Sequence, residues 1–132
     1  MTVSSTGPAQ AADPLDGRTF VATEVQGAAL AGGTELTLRF VDGAAVALGG
    51  CNTQRGEYRL ADLAGDGTTW TARLVVGPMM STLMACEPEL MEQDRWVAEL
   101  LADGPAISAV DVQLTLRGGG VELAMLEVLA RD

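Results

Sequence analysis

Histidine is absent from the chain, and that absence excludes more chemistry than any other feature. Without it there is no Ser-His or Cys-His nucleophile pair, no histidine general base and no ordinary catalytic zinc site. Aromatic residues are scarce at 4%, so a core has to be built mainly from Val, Leu, Ala and Met. Basic residues are also few, 8 against 18 acidic ones, for a net charge of −10. Such a surface repels phosphate backbones and anionic headgroups, and no aromatic-basic stacking surface offsets it, so nucleic acid is not an expected partner. No run reaches the roughly 18 apolar residues of a membrane-spanning helix. The first twelve residues lack the charged start and apolar middle of a signal peptide.

What is present suffices for one domain. The 132 residues are 48% hydrophobic, enough for a core without metals or several crosslinks. Residues 1–14, rich in Ser, Thr, Gly, Pro, Ala and Gln, read as a flexible linker, and residues 15–130 as the domain. Arg18 to Gln26 alternates like a strand. Glu35 to Val41 places Leu36, Leu38 and Phe40 on one face, and Asp42-Gly43 predicts a hairpin into Ala44 to Leu48. Glu57 to Leu60 reads as a short strand, 61–67 as a turn, Thr68 to Val76 as a strand and 77–85 as irregular. Pro88, followed by Glu89 and Glu92, opens a helix over about 88–103 whose stripe is Leu90, Val97, Leu100 and Leu101, flanked by Met91 and Trp96. Gly104-Pro105 ends it. Ile107 to Val110, Val112 to Arg117 and Val121 to Val128 read as closing strands, the last two joined at Gly118-Gly119-Gly120. The expected fold is α+β: about seven or eight short strands in a curled antiparallel sheet or partial barrel, with the single helix packed on a face or an open end.

Two segments hold both cysteines. Gly49-Gly50-Cys51-Asn52 is built for a sharp corner, because glycine reaches backbone conformations closed to other residues and asparagine tolerates left-handed geometry and bonds neighbouring backbone. Gly56 allows the next strand to begin close to that corner, and Tyr58 adds a ring with a polar tip. In Ser81-Thr82-Leu83-Met84-Ala85-Cys86, Met84 and Cys86 are expected to tuck inward while Ser81 or Thr82 satisfies nearby backbone groups.

Gly50, Cys51, Asn52, Gly56 and Tyr58, followed by Thr82, Met84 and Cys86, resemble the paired signature of the META domain family, which includes the HslJ-type heat-shock lipoproteins. The resemblance extends over Leu15 to Val128, and the linker and helix are similar to those of actinobacterial members. Members often carry Trp where this chain has Arg18-Thr19-Phe20, so Phe20 is expected to fill that space. The resemblance implies an extracytoplasmic protein, secreted or lipid-anchored, with a signal outside this chain. It implies an association with bacterial envelopes and with heat-shock and antibiotic-tolerance phenotypes, and no reaction. In an exported domain, Cys51 and Cys86 are most simply a disulfide closing a loop of about 35 residues. Two buried free thiols are the plainer alternative, and a redox or metal role is the remaining one, though no ligand spacing supports metal.

Other candidate residues read more simply as structure. Asp62, Asp66 and Gly67 imitate part of a calcium loop, but Ala64 and Arg73 occupy two ligand positions. Glu24 and Glu57 have no spacing that pairs them. Met79, Met80, Met84 and Met91 offer either an adaptable binding surface or core packing around the helix start, and the sequence favours packing. The expectation is a monomeric, non-enzymatic domain without cofactor or metal, acting through stability and contacts with a protein partner. The alternative is a module that holds a lipophilic ligand at the mouth of a partial barrel.

Overall fold

The computed structural model describes residues 13–129. In chain order the elements are β1 (Thr19–Gln26), β2 (Thr37–Val41), β3 (Ala44–Leu48), β4 (Gln54–Gly65), β5 (Thr69–Val76), β6 (Met80–Ser81), α1 (Pro88–Ala102), β7 (Ala106–Val110), β8 (Gln113–Gly118) and β9 (Val121–Val128). All pairings are antiparallel, in the order β3-β2-β1-β9-β8-β7-β5-β4-β6, and β3 also pairs with β4. That last pairing closes eight strands into a barrel, with β6 as an extra two-residue strand on the outside of β4. The α+β reading stands, and the sheet is fully closed. Closure removes the exposed edges that an open sheet of this size would leave.

Alternation along the strands sends Phe20, Leu38, Phe40, Trp70, Leu74, Ile107, Leu114, Leu116, Leu123 and Met125 into the interior. Phe20 does fill space in the core: it is fully buried, edge-on to Phe40 at 6.1 Å, with the Arg18 guanidinium 5.1 Å from its ring centre. Helix α1 plugs one mouth of the barrel. Its Val97, Leu100 and Leu101 meet Leu36, Leu38, Ala47, Leu116 and Leu123, which cluster at one end of their strands. Each buried side chain of this size contributes about 1.5–3 kcal/mol. The loop between β1 and β2 straps the outside of α1, where Trp96 Nε1 donates to Ala29 O and Ala31 N donates to Gln93 Oε1.

Turns follow their local chemistry. Asp42 and Gly43 have φ of 53° and 77°, the left-handed pair of a tight hairpin between β2 and β3. Gly119 and Gly120 do the same between β8 and β9. One sequence expectation is corrected here. Residues 61–65 belong to β4 rather than to a turn, since a register shift between Ala61 and Ala64, with Asp62 at φ 57°, absorbs the irregularity while pairing with β5 continues. Of the expected linker, residues 1–12 lie outside the described residues, but Asp13 and Pro14 are tied to the barrel. Asp13 Oδ1 accepts from Leu15 N, and Pro14 O accepts from Arg18.

Candidate functional site

The corner after β3 is shaped by what approaches it. Gly49 has φ 111°, and a Cβ there would overlap the carbonyl of Glu35. Gly50 has an ordinary φ, and its requirement is close approach: a Cβ would overlap Asp94 Oδ1. Asp94, on α1, reaches under the corner. Its Oδ1 accepts from Cys51 N at 3.1 Å, and its Oδ2 accepts from Asn52 N at 2.8 Å and Asn52 Nδ2 at 3.1 Å. Gln54, buried at the start of β4, donates through Nε2 to the Asp94 carbonyl. Asn52 is not among the left-handed residues, which outside glycine are Asp42, Asp62 and Asp111 among the described residues. Its side chain reaches across to another segment instead of bonding its own neighbours.

That other segment is 82–86. Asn52 Oδ1 accepts from Met84 N at 2.7 Å and from Thr82 Oγ1 at 2.8 Å, and its Nδ2 also lies 3.3 Å from Met84 O. Thr82 Oγ1 accepts from Thr53 N, and Thr82 N donates to Thr53 O. A disulfide joins Cys51 to Cys86, with Cα atoms 5.8 Å apart. Ser81 donates to Thr82 O. The motif residues of both segments therefore converge, and their bonds fix the backbone of 82–86 against the corner.

Fixing that backbone turns its side chains outward, which corrects the expectation for Met84. Leu83 is 96% exposed, Met80 74% and Met84 60%. Cys86 is only half buried. Of Met79, Met80, Met84 and Met91, only Met79 packs against the core, so the reading of this cluster as core packing also fails. Met79 explains Gly56, because a Cβ at Gly56 would sit 3.0 Å from Met79 Cγ and 2.9 Å from Val76 Cγ1.

Tyr58 works at the opposite mouth. Its ring lies edge-on to Phe40 at 5.1 Å, and its hydroxyl donates to Asp13 Oδ2 at 2.7 Å. Burial, then the hydrogen bond and the charge of Asp13, push its ionisation well above the ordinary value of 10.0. The folded state therefore resists phenolate formation. This contribution is constant below pH about 10 and is lost as pH rises beyond it, where the unfolded chain ionises first. As the only tyrosine in the chain, it gives an unambiguous signal. Phenolate absorbance is expected to appear only together with alkaline unfolding. Tyr58→Phe is expected to lower stability by about 1.5–3 kcal/mol in urea titration, the value of a hydrogen bond to a charged acceptor.

The remaining candidates do not assemble. Asp66 Oδ1 accepts from Thr68 N, Thr68 Oγ1 and Thr69 N, which hold the β4–β5 turn and depress its ionisation. Glu24 and Glu57 are exposed on β1 and β4, which are not neighbours in the barrel. Among the described residues, the space between α1 and the strands measures about 10 Å³, too small for a lipophilic ligand. A surface groove of about 560 Å³ between the strap and α1 is rimmed by Glu89, Glu92 and Glu99, which also disfavours such a ligand.

Sequence reasoning missed Asp94, Gln93, Gln54 and Asp13. The signal for the first two was an interruption of the helix stripe. Between Leu90 and Val97 the stripe passes through Gln93, which is only 1% exposed, with its Nε2 unpartnered among the described residues.

A family model described as META domain matches residues 13–128. Comparison with curated proteins returns no match. Two solved NMR structures are similar. A protein from Burkholderia xenovorans is 21% identical, with 92% of this chain and 89% of that chain covered and a TM-score of 0.63. A second protein is also 21% identical, with 92% and 94% covered and a TM-score of 0.64. At this identity they speak for the fold alone.

Proposed function

The chain belongs to the META domain family, and from that premise we propose that it is a non-enzymatic docking domain of the bacterial envelope, associated with stress. It inserts the apolar knuckle formed by Met80, Leu83 and Met84 into a protein partner. The observation that carries this reading is the combination of a rigid backbone with exposed apolar side chains. A nearly fully exposed leucine gains nothing for folding. Yet Asn52, Thr82 and the disulfide all act to hold its neighbours in place. Preorganisation of this kind reduces the entropy lost on binding, and methionine adapts to irregular sockets.

The partner is a folded protein with an apolar socket and a basic rim. Glu87 and Glu89 are exposed directly beside the knuckle, and the whole chain carries −10. The same charge opposes docking on anionic lipid. The disulfide is compatible with an oxidising, extracytoplasmic compartment, secreted or lipid-anchored. Cys51 and Cys86 are bonded to each other, and the Asp94 carboxylate is engaged by the corner, so the motif offers no free nucleophile or base.

A photocrosslinking residue at position 83, in cells exporting the protein, is expected to give one discrete heavier adduct. The same residue at Thr71, which pairs with the far end of β4, is expected to give none. Leu83→Ser with Met84→Ser should weaken binding to the crosslinked partner by about 30-fold, roughly 2 kcal/mol. Equal labelling from both positions, or an adduct at twice the mass of the chain, would sink the proposal.

A further inference from the structure

We infer that the outer face of β5, β7 and β8 is a binding site for a hydroxylated oxyanion, a sugar carrying a phosphate or carboxylate. This inference is independent of the docking knuckle. Strand register places Arg73, Ala106 and Arg117 side by side in one cross-strand row. The next outward row is Thr71, Ser108 and Thr115. Two strand spacings put the arginine Cα atoms about 10 Å apart, close enough for two long side chains to converge on one anion above the small Ala106. The resulting depression measures about 380 Å³, the size of a small-ligand cleft, and Asp62 stands at its rim.

The chemistry is unusual for this molecule. In a chain of net charge −10, every one of the basic residues is arginine. Arginine presents a planar fork of donors that matches phosphate and carboxylate oxygens. Arg73 makes no ion pair among the described residues, and Arg117 has only a long, exposed contact to Glu122 at 3.4 Å. Both forks can therefore turn to a ligand without breaking a buried bond. Asp62 cannot be explained by anion binding, since a carboxylate repels an anion, and the three hydroxyls are not limited to it. They suit the other half of the ligand: Asp62 accepts from ligand hydroxyls, and Thr71, Ser108 and Thr115 both donate and accept. A bare anion leaves Asp62 without a donor to accept from, and a neutral sugar leaves the arginines unused.

The test is a titration of the isotope-labelled chain followed by amide NMR shifts. The probes are glucose 6-phosphate, glucuronate, inorganic phosphate and glucose. Saturable shifts confined to 71–73, 106–108 and 115–117 are expected with the two sugar anions. Arg73→Gln and Arg117→Gln should each weaken binding by about tenfold, the size of one charge-assisted hydrogen bond. Ala106→Leu, which fills the floor at an exposed position, should abolish it while leaving the remaining spectrum unchanged. A response to inorganic phosphate equal to that of glucose 6-phosphate overturns the assignment. So does a non-saturating drift, or binding that survives Ala106→Leu.

Discussion

Replacing both Cys51 and Cys86 by serine is expected to lower the stability of the domain by about 3–4 kcal/mol, because the crosslink closes a 35-residue loop that the unfolded chain must otherwise leave open. That loop contains β4, β5 and β6, so the bond ties the corner after β3 to the start of α1 across two of the eight barrel strands. Against a total of about 5–15 kcal/mol for a domain, the loss is large. Urea unfolding is the measurement. The midpoint should fall, and the dependence on urea should steepen, because the unfolded chain without the crosslink exposes more surface. The locality of the effect is a second readout. Without the crosslink only the bonds to Asn52 hold residues 82–84, so exchange protection there should fall most, while the β1–β9 and β8–β9 pairs keep theirs. A loss below about 1 kcal/mol would mean that the Asn52 and Asp94 bonds already hold the segment and that the disulfide is an accessory. The family reading anticipated the bond. Its consequence for Leu83, held out in solvent, could not be anticipated from two cysteines.

The sequence made local structure legible where side-chain periodicity and turn chemistry agree. The β2–β3 hairpin at Asp42-Gly43 and the helix between Pro88 and Gly104 are such cases. It failed at Ala61 to Gly65, where small and acidic residues read as a turn, but pairing to β5 overrides that propensity through one bulge at Asp62. Barrel closure was illegible for a different reason. The β1–β9 pair matches Val25 with Leu123, residues nearly a chain length apart, and neither carries a signal of its partner. The site was half legible. Gly50, Cys51, Asn52, Thr82 and Cys86 do converge, but the direction of Leu83 and Met84 depends on Asn52 gripping the backbone on which they sit. Hydrophobicity alone assigns them to a core. Asp94 was the residue hidden most deeply. On a helix opening with several acidic residues it reads as one more solvated charge, yet it underlies the entire corner.

Asp94→Ala is therefore expected to lower stability by about 3 kcal/mol, since it leaves the Cys51 and Asn52 amides and the Asn52 side chain without their shared acceptor at a half-buried corner. Asp94→Asn keeps an acceptor oxygen and the shape, so its loss should be smaller, about 1–2 kcal/mol. Gly50 supplies the decisive second variant. Gly50→Ala places a Cβ on Asp94 Oδ1 and must displace the carboxylate. If the carboxylate is the reason for glycine there, Gly50→Ala is harmful in the native chain but nearly neutral once Asp94 is alanine. The double-mutant cycle should then show a coupling of about 1–2 kcal/mol, as expected for residues in contact. Additive losses would place the need for glycine in the backbone itself. Gly50 has no left-handed φ to support that alternative, whereas Gly49 does, at 111°. Gly49→Ala should accordingly be harmful in both backgrounds, with no coupling to Asp94. Urea midpoints for the single and double variants separate the two glycines: one admits a side chain from α1, and the other turns the chain toward it.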